Sequence, residues 1–417
     1  MSELSFAPLE TFADIAMGQS PDTETCNSDQ RGMPFLQGCG EFGRRVPDTS
    51  IFCALPLRVG KTGSVLMSVR APVGTMNYAD QDYCIGRGLA AFKAKPGIAN
   101  TTFLKHAVEQ NSGFLHRRSQ GSTFAAVSSG DVRTLPIPNF GFDKQNEIAA
   151  ILTSIDTAIE KTEALIGKFQ HIKAGLMHDL FTRGVLPNGT LRPPRTEAPE
   201  LYQQTPIGWI PKEWALERCI DLCPRICVGI VIQPTQYYVV DGVPAFRSAN
   251  VREDGIDATN FVYISPVANN LLVKSQLKTG DIVSVLTGYP GTSAVVPLEF
   301  HGANCIDILI SSPGEKVSSE YLCDWINSSF GKEQVLRLQG GMAQQHFNVG
   351  EMRELLVALP SRAEQLLIRN RAKSVEKKLR LEKSLQEKFT KQKLGLMQDL
   401  LTVKVPVTTI SNIQGAT

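Results

Sequence analysis

Several stretches have the residue types that could do chemistry. Gly38-Cys39-Gly40-Glu41-Phe42-Gly43 has the G-x-G-x-x-G spacing of a dinucleotide turn. The residues that follow, Arg44-Arg45-Val46-Pro47-Asp48, do not open the helix whose N-terminus would hold the phosphate, so the match reads as a turn. Gly60-Lys61-Thr62 resembles the end of a phosphate-binding loop, but the first glycine of that loop would fall on Leu55. Nucleotide hydrolysis is set aside on that ground. Cys219, Cys223 and Cys227 could align three thiolates on one helix face; Pro224 breaks such a helix and no fourth ligand is near, so buried free thiols fit better. His106, His116, His171, His178, His301 and His346 have no metal-ligand spacing. There is no nucleophile elbow and no Asp-Pro-Pro-Tyr-like tetrapeptide of an adenine methyltransferase. The expectation is a chain without an active site or bound metal of its own.

What remains is polar and basic material in loops. The first half offers Gln37, Arg44, Arg45, Arg70, Asn77, Tyr78, Arg87, Arg117 and Arg118. The second offers Arg247, Asn250, Arg252, Asn269, Asn270, Tyr289, Gln344, Gln345 and His346. Arg, Asn and Gln read guanine and adenine edges bidentately, and Arg also grips phosphate. Each alone is an ordinary surface residue, so the DNA-binding expectation rests on the set.

The elements that would position these loops come twice. Gly175-Leu176-Met177-His178-Asp179-Leu180-Phe181-Thr182 returns as Gly395-Leu396-Met397-Gln398-Asp399-Leu400-Leu401-Thr402, 220 residues later. At the same offset Gln145 falls on Gln365, Leu165 on Leu385, Lys168 on Lys388 and Lys173 on Lys393. A repeat this long marks a duplicated domain rather than a solenoid. Around these copies runs a heptad seam: Ile148, Leu152, Ile155, Ile159, Ile166, Phe169, Leu176 and Leu180, then Ile368, Val375, Leu379, Phe389, Leu396 and Leu400. A helix over 143–182 would be about 60 Å long at ~1.5 Å per residue, and its seam needs a partner. The second copy is strongly basic on its outer face, as solvated salt bridges or as a surface for phosphate or an acidic partner.

The 417 residues, 42% hydrophobic and 20% charged, suffice for more than one core. A net charge of +2 favours no partner by itself. Nine cysteines and no apolar leader fit a reducing cytoplasm, and no apolar run is long enough to span a bilayer. The division read from the sequence is a first globular domain over 1–142, a long helix over 143–184 and an exposed connector over 185–205. A second globular domain over 206–362, a second long helix over 363–403 and a tail over 404–417 follow. The fold class is α+β: two similar mixed domains joined by two long helices, with a pseudo-twofold repeat.

These residues resemble the specificity subunits of type I restriction-modification systems. Gly208-Trp209-Ile210-Pro211-Lys212-Glu213-Trp214 looks like the family's opening of a target-recognition domain. The 341–349 stretch, Gly-Met-Ala-Gln-Gln-His-Phe-Asn-Val, looks like its close, and 145–182 like its central helix. The first domain departs: it opens on Pro8-Leu9-Glu10-Thr11-Phe12 and closes on Gly121-Ser122-Thr123-Phe124-Ala125-Ala126-Val127. The resemblance implies that each globular domain reads half of a bipartite, asymmetric target in double-stranded DNA while the two long helices pack as an antiparallel coiled coil and set the spacer. It also implies a non-catalytic subunit that carries two adenine methyltransferase subunits and, where the complex cleaves, two restriction subunits. S-adenosylmethionine, ATP and Mg would then belong to those partners. A coiled-coil scaffold with protein-binding heads is the alternative.

Overall fold

The run Val65-Leu66-Met67-Ser68 is buried at all four positions, as expected of a strand covered on both faces. Its side chains alternate between two cores: Val65 and Met67 join Phe103, Leu104 and Ala107, and Leu66 joins Leu36, Tyr83 and Ile85. This period of two organises the first globular part. In the computed structural model, which describes residues 5–119, 126–338 and 347–402, the chain forms two compact units. Unit one holds the described residues up to Leu165 and those from Glu382 on; unit two is Ile166–Leu381.

In unit one, β1 (Ala13–Met17), β2 (Met33–Leu36), β3 (Val65–Ser68), β4 (Met76–Tyr78), β5 (Tyr83–Ile85) and β6 (Leu89–Ala94) precede α1 (Thr101–Gln110). An antiparallel sheet runs in the order β1-β6-β3-β4, and in a second sheet β2 pairs parallel with β5, Phe35 opposite Cys84. Unit two repeats this with β7 (Arg225–Val228), β8 (Val243–Phe246), β9 (Ile282–Val285), β10 (Ser293–Val295), β11 (Asn304–Cys305), β12 (Ile308–Ser312) and α2 (Ser319–Asn327). Its antiparallel sheet has the order β7-β12-β9-β10, and β8 pairs parallel with β11, Ala245 opposite Asn304.

Two long helices, Phe142–Arg183 and Arg362–Leu401, complete the chain. The compact units differ from the head-and-helix division expected above, because each helix contributes one half to each unit. The reason is burial: Ile148 and Leu152 with Met397, Leu400 and Leu401 belong to the core of unit one, and Leu180 with Ile368 to that of unit two. The other seam positions, Ile155, Ile159, Ile166, Phe169, Leu176, Val375, Leu379, Phe389 and Leu396, are half-buried. Within each unit the helix halves run antiparallel. Asp156 meets Lys393 and Glu163 meets Gln386 in unit one; Lys173 meets Glu376 in unit two.

Two buried glutamines join head to helix in the same way. The Gln145 side chain accepts from Asn100 N (3.0 Å) and donates to the carbonyls of Ile98 (3.3 Å) and Phe140 (2.8 Å). That of Gln365 accepts from Ser318 N (2.9 Å) and donates to the carbonyls of Lys316 and Pro360 (3.0 Å each). Asn100 and Ser318 are the N-caps of α1 and α2, so each glutamine fixes the start of a head helix.

The 185–205 connector is exposed at most positions but is pinned by a few buried side chains. Arg192 is 4% exposed and ion-pairs with the buried Glu364, which also accepts from Val185 N (2.8 Å) and Trp214 Nε1 (3.1 Å). A buried carboxylate needs several donors, and the connector supplies them. Gly184 ends the central helix at φ +64°, and a Cβ there would strike Glu364, Arg192 and Trp214.

Candidate nucleic-acid interface

Three strand ends in unit one meet at a rim. Gln37 follows β2, Arg70 lies just beyond β3, and Arg87 sits in the short turn between β5 and β6. Gly86 and Gly88 bracket Arg87 against the Gln37 backbone; a Cβ on Gly88 would lie 2.6 Å from the Gln37 carbonyl oxygen. The Gly86 N–H donates to the Leu36 carbonyl (2.8 Å) and the Val69 N–H to that of Gly88 (2.9 Å). Gln37, Arg70, Arg87 and Gly88 line an open cavity of about 310 Å³ together with residues 38–41, Ser68 and Ala71. Gln37, Arg70 and Arg87 are exposed, and among the described residues neither guanidinium has an ion-pair partner.

Other residues proposed for contact in unit one are otherwise engaged. Arg44 pairs with Glu163 (2.5 Å) and Arg45 with Glu160 (3.8 Å), which holds their loop to the central helix. Asn77 is buried and donates to the Gly43 carbonyl (2.9 Å), so it has no edge to offer a base. Tyr78 is half-buried, and burial raises its phenol pKa. Arg117 is exposed; Arg118 lies over the Phe114 ring (3.7 Å) and pairs with Asp131 (3.1 Å). Lys61, in the phosphate-loop look-alike, is bound to Asp82 (2.8 Å), whose carboxyl is held down to about 2 by Lys61 and Thr62.

In unit two, Arg247 follows β8 as Gln37 follows β2, and its guanidinium donates to the Asn260 carbonyl (2.9 Å). Asn250 and Asn269 of the expected set are both buried, and their amides serve the fold. Asn250 donates to the Asp257 carbonyl (3.0 Å), and Asn269 donates to the Gly302 carbonyl (3.1 Å) and accepts from Asn304 (2.8 Å). Arg252 pairs with Asp257 (3.6 Å), Asn270 is exposed, and Tyr289 is 82% exposed. Gln344, Gln345 and His346 lie outside the described residues. Choosing by residue type missed Asp307, exposed between β11 and β12 where Arg87 lies between β5 and β6. The repeat offset carried the signal, because Arg87 and Asp307 are 220 apart.

The three cysteines are not on one helix. Cys219 opens a short helix that ends at Leu222, Cys223 lies beside it (Sγ–Sγ 3.9 Å), and Cys227 lies in β7. Among the described residues no group of His, Cys, Asp and Glu side chains is arranged to hold a metal ion.

Residues 5–166 match the family model of the type I restriction modification DNA specificity domain. Parts of the chain are also similar in sequence to specificity subunits of type I restriction enzymes. The chain is 34% identical over 173 residues to the putative MjaX specificity subunit of Methanocaldococcus jannaschii, covering 42% of this chain and 41% of that protein. It is 23% identical over 333 residues to the MjaVIII specificity subunit of the same organism, covering 76% and 73%. The chain thus spans less than half the length of the first relative and about three-quarters of the second. The fold is that of the specificity subunit from M. genitalium: TM-score 0.59, 13% identity, 96% of this chain and 97% of that one. A chain from a structure concerning assembly and conformational transition of the type I system gives TM-score 0.55 at 15% identity, covering 96% and 98%.

Proposed function

We propose that this chain is a type I specificity subunit, the sequence-reading component of a DNA-modifying complex, each unit reading one half of a bipartite, asymmetric target in double-stranded DNA. One observation carries this reading. The two units share a sheet order and a parallel strand pair, yet their equivalent rims differ: Gln37, Arg70 and Arg87 in one, Arg247, Thr287 and Asp307 in the other. A common framework with different edge chemistry is what two readers of different sequences need. The helices, antiparallel within each unit, act as the ruler between half-sites. Their repeated faces suit two copies of one adenine methyltransferase subunit and, where the complex cleaves, two restriction subunits. Methyl transfer, with S-adenosylmethionine, and translocation, with ATP and Mg, take place on those partners in the cytoplasm. No helix of the described chain is long and apolar enough to cross a membrane.

The test is selection from a randomised duplex library by the full chain purified with its methyltransferase subunit. The expected result is one split motif with a fixed spacer. Equal affinity for all sequences, collapsing at physiological salt, would return the chain to a protein-binding scaffold. Inserting one heptad in 143–182 should alter the spacer and leave both half-sites intact.

A further inference from the structure

Arg87 and Asp307 occupy one structural position with opposite charge. Each directly follows a residue whose N–H donates to the last residue of the parallel neighbour strand: Gly86 to Leu36 and Ile306 to Phe246, both 2.8 Å. Four buried residues precede each and three follow, so each side chain is the single exposed one in its turn. Neither has a charged partner among the described residues, whereas Arg44, Arg45, Arg118 and Arg252 all do. Asp307 stands at φ +48°, a conformation that Asp tolerates better than most residues. Both side chains thus emerge one residue after the same backbone bond, on turns that differ in φ and by one residue in length, and their chemistry is free to differ.

A protonated guanidinium and a carboxylate make opposite demands on a base edge. Arg forks onto the paired acceptors O6 and N7 of guanine, whereas Asp accepts only from an exocyclic amine, which guanine and thymine do not present in the major groove. Arg70 shares the cavity with Arg87 and reinforces the demand for acceptors. The corresponding residue of unit two is the neutral, exposed Thr287, which leaves Asp307 the only charge contributed by those two positions. A carboxylate on a DNA-facing rim repels phosphate, so it belongs there only if it meets a base amine.

We propose that this position chooses a base in each half-site: Arg87 selects guanine in one half, and Asp307 selects an amine-bearing base, cytosine or adenine, in the other. The assignment rests on the DNA-reading function above and names the determinant within it.

The test repeats the library selection with the full chain and its methyltransferase subunit, using Arg87→Ala, Arg87→Lys, Asp307→Ala and Asp307→Asn. Arg87→Ala should cut the preference for guanine at one position by roughly 5- to 100-fold, with the other half-site and the spacer unchanged. Arg87→Lys, which keeps the charge but loses the fork, should not restore it. Asp307→Ala and Asp307→Asn should each relax one position in the opposite half. Three results would overturn the assignment: both half-sites unchanged in all variants; a uniform loss of affinity on Arg87→Ala that Lys rescues, marking a phosphate contact; or a uniform gain for every sequence on Asp307→Ala, marking simple repulsion. Wild-type complex that selects no split motif would sink the DNA-reading function itself. A wild-type motif that survives all four substitutions sinks only this assignment.

Discussion

The helix-facing charge clusters of the two units achieve one arrangement with partly different residues. In unit one, Lys393 bridges Asp156 (3.0 Å) and Glu109 (3.1 Å), with the buried His106 ring 3.5 Å from Glu109 and 3.6 Å from Asp156. In unit two, Lys173 holds Glu376 (3.0 Å), and Arg369 joins Glu376 (2.9 Å) to Asp324 (2.8 Å). Lys173 and Lys393, like Asp156 and Glu376, are 220 apart, so the bond between helices is the same bond twice. The groups supplied by the heads differ. Where partners must stay together the repeat preserves identity, and toward the head the chemistry drifts, as it does at the rims.

The sharpest break in this symmetry is Glu364, whose repeat mate is Lys144 over the Phe140 ring. Glu364→Ala leaves the buried Arg192 guanidinium with only the exposed Glu213 (2.6 Å), strands Val185 N and Trp214 Nε1 without their acceptor, and should cost unit two about 3–5 kcal/mol. Lys144→Ala should cost less than about 1 kcal/mol. Urea unfolding followed by hydrogen exchange of β9 and β3 measures the two separately. Equal losses would show that the hub is not peculiar to unit two.

The glutamines sharpen the opposite side of the comparison. Gln145→Leu leaves Asn100 N and two carbonyls without partners, and Gln365→Leu does the same at Ser318. Each should destabilise its own unit by about 2–4 kcal/mol, and the two losses should agree within about 1 kcal/mol. A large loss from one and none from the other would end the structural equivalence of the two junctions.

Acid should separate the clusters. Burial, outweighing Arg369, pushes the Asp324 carboxyl from 3.8 up to about 6. The folded chain then holds a proton that the unfolded chain releases, and this contribution, present below about pH 4, is lost as pH rises through about 6. Its size is on the order of 3 kcal/mol. Glu109 is the reverse: burial would raise it, but His106, Lys105 and Lys393 hold it well below the usual 4.5. Its contribution is present above that value and lost as pH falls. Exchange protection in α2 should therefore rise from pH 7 to 5 while that of α1 does not, and Asp324→Asn should flatten the α2 response. A parallel rise in both helices contradicts this account.

How much of this was legible in sequence follows the same division. The framework could be read because packing imposes periods: the seam at 148, 152, 155 and 159, and the repeat of Gln145 in Gln365, are one-dimensional traces of a helix face. The rim could not be read by composition, since Asn77, Asn250 and Asn269 have the residue types of base readers but spend their amides on backbone inside the fold. Asp307 has the wrong type for a list of basic readers and the right place. Arg192 was hidden in a Pro-rich connector because its partner, Glu364, is far away in the chain.

Arg44 gives the smallest expected effect and tests where the reading surface of unit one ends. Its guanidinium binds the Glu160 carbonyl (2.7 Å) and Glu163 on the central helix, about half exposed. An exposed pair of this kind contributes about 0.2–1 kcal/mol, so Arg44→Ala should barely move stability. As a brace rather than a phosphate contact, it should also leave the slope of log affinity against log salt unchanged. Arg87→Ala should reduce sequence discrimination under the same conditions. If the slope instead falls by about one on removal of Arg44, the guanidinium leaves Glu163 for the DNA backbone, and the rim extends to the helix.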